Sequence, residues 1–175
     1  KKNIYPTPVI GGVGLIKKLS KPLSHNFKKS NSAIILIGKT FGHIEQSCFL
    51  KENYSIIEGM PPEINLLNEK NNGESLLKLI DKNLILSAHD ISNGGLITAL
   101  SEMTLTSNFG AKIHKPKKLT NLFRYFFGED QARYIIEIQA QKLSSVEKLL
   151  KESNVYYENI GFTQENYFEI EGELK

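Results

Sequence analysis

Apolar residues along this chain form short continuous runs, separated by stretches in which they recur at helical spacing. The run Ala33 to Ile37 is uninterrupted, which is typical of a strand buried on both faces. A helix from Ile44 to Lys51 is predicted after it. A second strand, Leu84 to Ala88, leads through a glycine turn into a helix that begins near Gly94 and ends between Ser107 and Gly110. The order strand, turn, helix therefore occurs twice.

The remaining periodicity predicts further elements of ordinary length. Helical spacing from Ile64 to Asn83, with an interruption expected at Asn71 to Gly73, provides the crossover between the first two strands. The polar stretch Lys112 to Leu119 contains Pro116 and is expected to be a connection. The other predicted elements are a glycine-interrupted strand at Val9 to Ile16, a strand at Ala132 to Ile138, a helix with Leu143, Val146, Leu149 and Leu150 on one face, and short strands at Tyr156 to Gly161 and Tyr167 to Ile170. This order predicts an α+β or α/β fold, with a single β-sheet covered by helices.

Composition narrows the class of protein without naming a function. The chain has 175 residues, 40% of them hydrophobic and 23% charged, which is typical of one soluble globular domain. Its longest apolar runs have the length of strands, so no membrane partner is expected. Cys48 is the only cysteine, which excludes an internal disulfide and favours a cytoplasmic location. The net charge is +3, but the lysines are scattered, so no nucleic-acid partner is expected.

The segment Ala88 to Leu96, with the sequence AHDISNGGL, carries the strongest chemical signal. Asp90 could hold Mg²⁺, and the backbone amides of Ser92 to Gly95 could bind phosphate oxygens at the amino terminus of the following helix. Alternatively, Ser92 or Asn93 only caps that helix and the two glycines form a tight turn without a ligand. The spacing of these residues leaves both interpretations open.

Other reactive side chains favour structural roles. His89 is expected to orient the turn rather than to act as a base. Cys48 is expected to be a small buried residue, because no partner base can be named for it. His25, His43 and His114 share no metal-ligand spacing.

Three segments taken together resemble the family of phosphoribosylformylglycinamidine synthase. They are Pro6 to Ile16, Ala88 to Leu96 with Glu102 and Met103, and Phe127 to Tyr134, and they occur in the order found in that family. The chain resembles the last domain of the synthetase subunit, in the second of two halves that are each similar to aminoimidazole ribonucleotide synthetase. This resemblance implies an α+β fold with a single mixed β-sheet covered by helices. The resemblance implies that residues 1–175 form one domain of a longer chain, with residues 1–16 reaching over from the preceding domain. The form of Gly128 to Gln131 resembles the small bacterial subunit.

The resemblance implies an ATP-dependent amidation in purine biosynthesis. ATP would phosphorylate the formamide oxygen of formylglycinamide ribonucleotide, and ammonia from glutamine would then displace the phosphate. The implied cofactors are Mg²⁺ and ATP or ADP. The implied partners are the preceding domains of the same chain, a glutaminase subunit and a small bridging subunit. No catalytic residue is assigned to this chain, since the family's active-site groups lie in the preceding domains, and the chain alone is expected to be inactive.

Carried over residue by residue, the resemblance makes Asp90 a Mg²⁺ ligand and Ser92 a phosphate contact at an auxiliary nucleotide site. Asn93, Gly94 and Gly95 complete the implied nucleotide contacts. The chain departs from the family at Asn93, where the family often has Asp, and at Glu45 to Cys48, where it commonly has Gly-Gly-Ser-Glu. Glu129, Asp130 and Gln131 correspond to a substrate motif of the first half, and here they are expected to pin a loop to the sheet.

Two alternatives remain open from the sequence. One is the equivalent domain of a related enzyme, namely aminoimidazole ribonucleotide synthetase, thiamine monophosphate kinase or selenophosphate synthetase. The other is a non-catalytic interaction module in which the glycine turns are purely structural.

Overall fold

The computed structural model describes residues 8–15, 22–116 and 121–173. Within these ranges, six strands form one sheet in the order β2-β4-β1-β5-β3-β6. The strands are β1 (Ser32–Ile37), β2 (Ser87–Asp90), β3 (Phe109–Ile113), β4 (Tyr134–Gln139), β5 (Tyr157–Glu165) and β6 (Phe168–Ile170). The helices are α1 (Cys48–Tyr54), α2 (Leu66–Asp81), α3 (Gly95–Leu105), α4 (Leu122–Phe127) and α5 (Leu143–Glu152).

The sheet is built around β1, which pairs with β4 on one side and with β5 on the other, both antiparallel. β2 is antiparallel to β4 and β3 is antiparallel to β5, whereas β3 and β6 are parallel. The α+β fold with a single mixed sheet, which the family resemblance implies, is therefore confirmed. All six residues of β1 are buried, because helices cover both faces of the sheet.

The two faces carry separate hydrophobic cores. On one face, Ile34 and Leu36 of β1 pack with α3 and α4, including Leu96 and Leu100. On the other face, Ile35 packs with α2 and α5. This alternation along β1 is the period-two pattern of a strand buried on both sides.

Three predicted elements differ from the structure. α2 runs without interruption through Asn71 to Gly73, and the buried side chain of Asn72 donates a hydrogen bond to the carbonyl of Ala132 at 2.8 Å. β3 includes Lys112 and Ile113, which were predicted to belong to a connection. The ammonium of Lys112 pairs with Glu169 of β6 at 3.2 Å. α1 begins at Cys48 rather than Ile44, because Ser47 caps it by accepting a hydrogen bond from the amide of Leu50.

The predicted strand at Val9 to Ile16 is wrong for the residues that can be described. Residues 8–15 are exposed and lie in neither a helix nor a strand, and Ile16 lies outside the described residues. A strand needs a neighbour to accept its backbone hydrogen bonds, and none of the six described strands pairs with this segment. The short helix α4 was not predicted from the sequence.

Among the described residues, no helix combines the length and apolar character needed to cross a membrane.

Glu137 of β4 is a fully buried carboxylate that joins the segment before β1 to the sheet. It accepts hydrogen bonds from the backbone amides of Lys28 at 2.8 Å and Lys29 at 3.0 Å, and from the hydroxyl of Ser87 at 2.9 Å. Burial raises the pKa of Glu137, and these hydrogen bonds act in the opposite direction.

We expect Glu137→Gln to lower the free energy of unfolding by about 1–3 kcal/mol, because the amide NH₂ would face backbone donors. Because the pKa of Glu137 is raised on folding, its stabilising contribution is complete below the ordinary Glu pKa and declines as pH rises through the raised value. The difference in Tm between the wild type and the variant should therefore be largest in acid and smaller near neutral pH. Thermal unfolding of both chains across this pH range measures it, and a difference that grows with pH would contradict the assignment.

Candidate functional site

The candidate residues lie at one edge of the sheet, where β2 ends. Antiparallel pairing with β4 places the last residue of β2, Asp90, opposite Tyr134, the first residue of β4. Beside them is a cavity of about 250 Å³. It is lined by Glu69, Asp90, Ile91, Ser92, Asn93, Glu129, Gln131, Ala132, Arg133 and Tyr134. Three carboxylates therefore border one small cavity, and the structure brings Asp90, Ser92 and Asn93 together on its wall.

Asp90 is the accessible carboxylate of this corner, with 66% of its side chain exposed. Its Oδ1 lies 3.3 Å from Nδ1 of His89, and the other ring nitrogen of His89 lies 2.9 Å from Oε2 of Glu102 on α3. The imidazole thus bridges two carboxylates, in agreement with the orienting role predicted for His89. The role of Glu102 was not predictable from sequence, because its partner His89 lies on β2 and not on α3 itself.

Backbone geometry and packing alone explain why glycine occupies positions 94 and 95. Gly94 has a φ of +80°, and a Cβ there would lie 2.2 Å from the hydroxyl of Thr98. Gly95 has a φ of +72°, and a Cβ there would lie 2.7 Å from the carbonyl oxygens of Phe126 and Gly128. The turn therefore needs Gly94 for its left-handed backbone and Gly95 for the close packing of α3 against the end of α4.

The amides of these glycines already have partners within the chain. The amide of Gly94 donates to Oε1 of Glu129 at 2.7 Å, and the amide of Gly95 donates to the carbonyl of Ser92 at 3.1 Å. Ser92 and Asn93, by contrast, are exposed at the turn. The side chains of Asp90, Ser92 and Asn93 remain available to a ligand, whereas the predicted grip by the glycine amides would require the amide of Gly94 to exchange its partner.

Glu129 also binds a second helix. Its Oε1 accepts a hydrogen bond from the amide of Cys48 at 2.7 Å, at the start of α1. One carboxylate oxygen therefore joins the beginnings of α1 and α3. Cys48 itself is half-buried, so its predicted burial is only partial.

Asp130 is buried and holds the turn that follows β1. Its carboxylate accepts hydrogen bonds from three consecutive backbone amides, those of Phe41 at 3.0 Å, Gly42 at 2.9 Å and His43 at 3.1 Å. Consecutive amides that converge on one anion form a backbone nest. The structural interpretation, as residues that pin a loop, is confirmed for Glu129 and Asp130, whereas Gln131 is exposed and its side chain, among the described residues, hydrogen-bonds only to the carbonyl of Glu129, at 3.5 Å.

Arg133 completes this arrangement from inside the protein. The side chain is fully buried and donates to the carbonyls of Gly128 at 2.6 Å and Asp130 at 3.1 Å, and to the hydroxyl of Thr40 at 3.2 Å. Burial lowers the pKa of Arg133, while the charge of Asp130 raises it. The role of Arg133 was not predictable from the sequence, because its partners are mostly backbone carbonyls, which any residue type can provide.

The corner offers a limited but usable set of ligands for Mg²⁺. Within the described part of the chain, no group of three or more His, Cys, Asp and Glu residues is arranged to hold a metal. Mg²⁺ is usually bound through one or two carboxylates, with phosphate oxygens and water completing its shell. Asp90, an exposed oxygen donor beside Ser92 and Asn93, fits such a role for an ion that arrives with a phosphate-bearing ligand.

Comparison with known proteins gives a consistent result. The family model described as AIR synthase related protein, C-terminal domain, matches residues 29–170. A phosphoribosylformylglycinamidine synthase subunit PurL from Pelagibacter ubique is 48% identical over 172 residues, which is 98% of this chain and 24% of that protein. The subunit of the same name from Rhodopseudomonas palustris strain TIE-1 is 38% identical over 172 residues, 98% of this chain and 23% of its own length. The chain thus spans about a quarter of these relatives.

Solved structures share the fold at low sequence identity. Thermotoga maritima PurL complexed with FGAR has a TM-score of 0.69 at 18% identity, covering 87% of this chain and 27% of that one. T. maritima PurL complexed with ADP has a TM-score of 0.63 at 19% identity, covering 87% and 25%. A thiamine-monophosphate kinase from Stenotrophomonas maltophilia has a TM-score of 0.60 at 16% identity, covering 87% and 54%. At these identities, the likeness concerns the fold alone.

We expect Gly94→Ala to lower the free energy of unfolding by about 1–3 kcal/mol, because its φ is positive and the new Cβ meets Thr98. The matched control is Gly73→Ala in the middle of α2, where the nearest atom to the new Cβ is the hydroxyl of Tyr134 at 3.8 Å. That change should raise the free energy of unfolding by about 0.5–1 kcal/mol. Urea unfolding of the three chains compares them, and equal effects at both glycines would contradict a structural demand specific to Gly94.

Proposed function

The chain belongs to the family of AIR synthase related proteins as a C-terminal domain, and from this premise we propose that it acts within an ATP-dependent phosphoribosylformylglycinamidine synthase. The 48% identity to the P. ubique subunit over 98% of this chain carries the proposal. The proposed domain organisation is one domain over residues 1–175 of a longer chain, with residues 1–16 reaching over from the domain before it.

The proposed reaction activates an amide oxygen by phosphorylation. The γ-phosphoryl group of ATP passes to the formamide oxygen of formylglycinamide ribonucleotide, with release of ADP. Ammonia derived from glutamine then adds to the activated carbon and phosphate leaves, which gives formylglycinamidine ribonucleotide. The proposed partners are therefore a glutaminase subunit, a small bridging subunit and the preceding domains of the same chain, all in the cytoplasm. PurLQS from T. maritima, solved as a structure, is consistent with such an assembly.

The proposed contribution of this chain is an auxiliary Mg²⁺-nucleotide corner. Asp90 would hold Mg²⁺, which when bound offsets the negative charge of the nucleotide phosphates. The hydroxyl of Ser92 would donate to a phosphate oxygen, and the amide of Asn93 would add a neutral polar contact. Gly94 and Gly95 shape the turn, and a direct contact of Gly94 with phosphate depends on displacing Glu129. The chain supplies no catalytic residue in this proposal.

The related enzymes with the same fold are less well supported. The thiamine-monophosphate kinase shares the fold at 16% identity, whereas the PurL relatives reach 38% to 48% over almost the whole chain. A module that only binds a partner protein would need the hydrogen bonds of Glu129 and Asp130 to hold its fold, but it would not need the exposed carboxylate of Asp90. The behaviour of Asp90 variants therefore separates a nucleotide site from a docking role.

The proposed reaction predicts an activity for the complete protein. Combined with a glutaminase subunit and a small bridging subunit, it should convert formylglycinamide ribonucleotide, glutamine and ATP to formylglycinamidine ribonucleotide, ADP, phosphate and glutamate. The 175-residue chain alone should form no product, since the reacting groups are assigned to other domains. Coupled detection of ADP and glutamate tests both statements, and turnover by the isolated chain would refute the assignment of the chemistry to other domains.

The proposed auxiliary site predicts an effect on nucleotide affinity. We expect Asp90→Ala in the complete protein to weaken binding of one Mg²⁺-ADP by about tenfold to a hundredfold, because a charged ligand is lost. Ser92→Ala should weaken it less, since the hydroxyl is a neutral donor. Asp81→Ala, at the exposed end of α2, removes the same charge far from the corner and serves as the control. Calorimetric titration measures the affinity and the number of bound nucleotides, and unchanged binding by Asp90→Ala would favour a structural joint.

A further inference from the structure

Glu129 places a carboxylate where an anionic ligand would bind at the beginning of α3. The amide of Gly94, at the cap position of this helix, donates to Glu129 Oε1, and the amide of Cys48 donates to the same oxygen, both at 2.7 Å. Free amides at a helix amino terminus attract phosphate because they are donors at the positive end of the helix dipole. Here the carboxylate of Glu129 occupies the position that such a phosphate would take.

The geometry points to a specificity role for this contact: we propose that Glu129 is a built-in anion that fills the phosphate position of the Gly94 turn and excludes phosphate ligands that arrive without a metal ion. The proposal deepens the proposed auxiliary site, on which its consequence for nucleotides rests. The exclusion itself concerns only Glu129 and the amides that it occupies.

The charges around the cavity support exclusion. Glu69, Asp90 and Glu129 border the same cavity of about 250 Å³. The cation nearest in the motif, Arg133, is fully buried and is directed to Gly128, Asp130 and Thr40. Among the described residues that line this corner, a phosphate group would meet carboxylates before it met a cationic side chain, and like charges at short range repel. A divalent cation on Asp90 would offset most of the negative charge of these three carboxylates.

The position of Glu129 is fixed rather than adjustable. The next residue, Asp130, is held by the three amides of the nest at Phe41 to His43, and the carbonyl of Gly128 accepts from Arg133. The backbone on both sides of Glu129 is therefore anchored. To uncover the amide of Gly94, the carboxylate would have to release two hydrogen bonds at once, which favours the closed arrangement in the absence of a competing ligand.

The test uses inorganic pyrophosphate on the complete protein, with and without Mg²⁺. Metal-free pyrophosphate should leave hydrogen exchange of the peptides that contain Gly94 and Cys48 unchanged in the wild type. Glu129→Ala uncovers both amides, so it should bind metal-free pyrophosphate about fivefold to tenfold more tightly and show new protection in these two peptides. Asp81→Ala, with the same change in net charge, should behave as the wild type.

Glu129→Gln provides the matched variant, because the amide oxygen can still accept from Gly94 and Cys48. It should remain folded and show no new protection with metal-free pyrophosphate. Protection of the Gly94 peptide in the wild type or in Glu129→Gln, or a folded Glu129→Ala that binds no more tightly than the wild type, would overturn the proposal. Should Glu129→Ala fail to fold, Glu129→Ser takes its place, because the short side chain also leaves the amides of Gly94 and Cys48 uncovered.

The outcome for Mg²⁺-ADP is separate. Failure of the wild type to bind Mg²⁺-ADP through Asp90, with metal-free pyrophosphate still excluded until Glu129 is removed, would refute the auxiliary site and leave the exclusion intact. Binding of metal-free ADP as tightly as Mg²⁺-ADP by the wild type would refute the exclusion even where the auxiliary site exists.

Discussion

The structure depends on the satisfaction of backbone amides by two adjacent carboxylates. Asp130 accepts three consecutive amides from the turn after β1, and Glu129 accepts one amide each from the beginnings of α1 and α3. Unpaired amides in such half-buried turns would cost free energy, and ionised acceptors make stronger hydrogen bonds than neutral ones. Two side chains that are adjacent in sequence thereby fix the relative positions of three distant segments, and Arg133 fixes the two in turn.

This arrangement places the candidate site. Asp90 is the last residue of β2, which pairs with β4 immediately after the segment that contains Glu129 and Asp130. The beginning of α3 is held from that same segment, so the turn from Ser92 to Gly95 is fixed at both ends. Side chains that must bind a ligand benefit from a backbone positioned by other contacts. The exposed Asp90 and Ser92 can therefore be oriented without being buried themselves.

The sequence predicted the fold where its signal was local. The continuous apolar run of β1 and the helical faces of α3 and α5 correspond to buried elements, because burial on one or both faces imposes a simple period. Two of the wrong predictions, those for α2 and β3, are explained by partners that are distant in sequence. Asn72 is tolerated inside α2 because the carbonyl of Ala132 accepts from it, and Lys112 is tolerated in β3 because Glu169 of the neighbouring strand pairs with it. Neither partner lies within the windows from which helices and strands are predicted.

For the candidate site, too, the local motif was predictable from the sequence, whereas its distant partner was not. The motif from Asp90 to Gly95 correctly indicated the beginning of α3, although Gly94 is the cap residue and neither Ser92 nor Asn93 caps the helix through its side chain. The residue types that favour phosphate at a helix beginning also favour any other negative group there. The pattern could not reveal which anion is present. Glu129 lies 35 positions from Gly94 along the chain and reaches it only because β4 pairs with β2. A glycine-rich turn before a helix therefore indicates backbone amides that lack a local partner. The tertiary fold determines whether a ligand or a carboxylate of the protein accepts their hydrogen bonds.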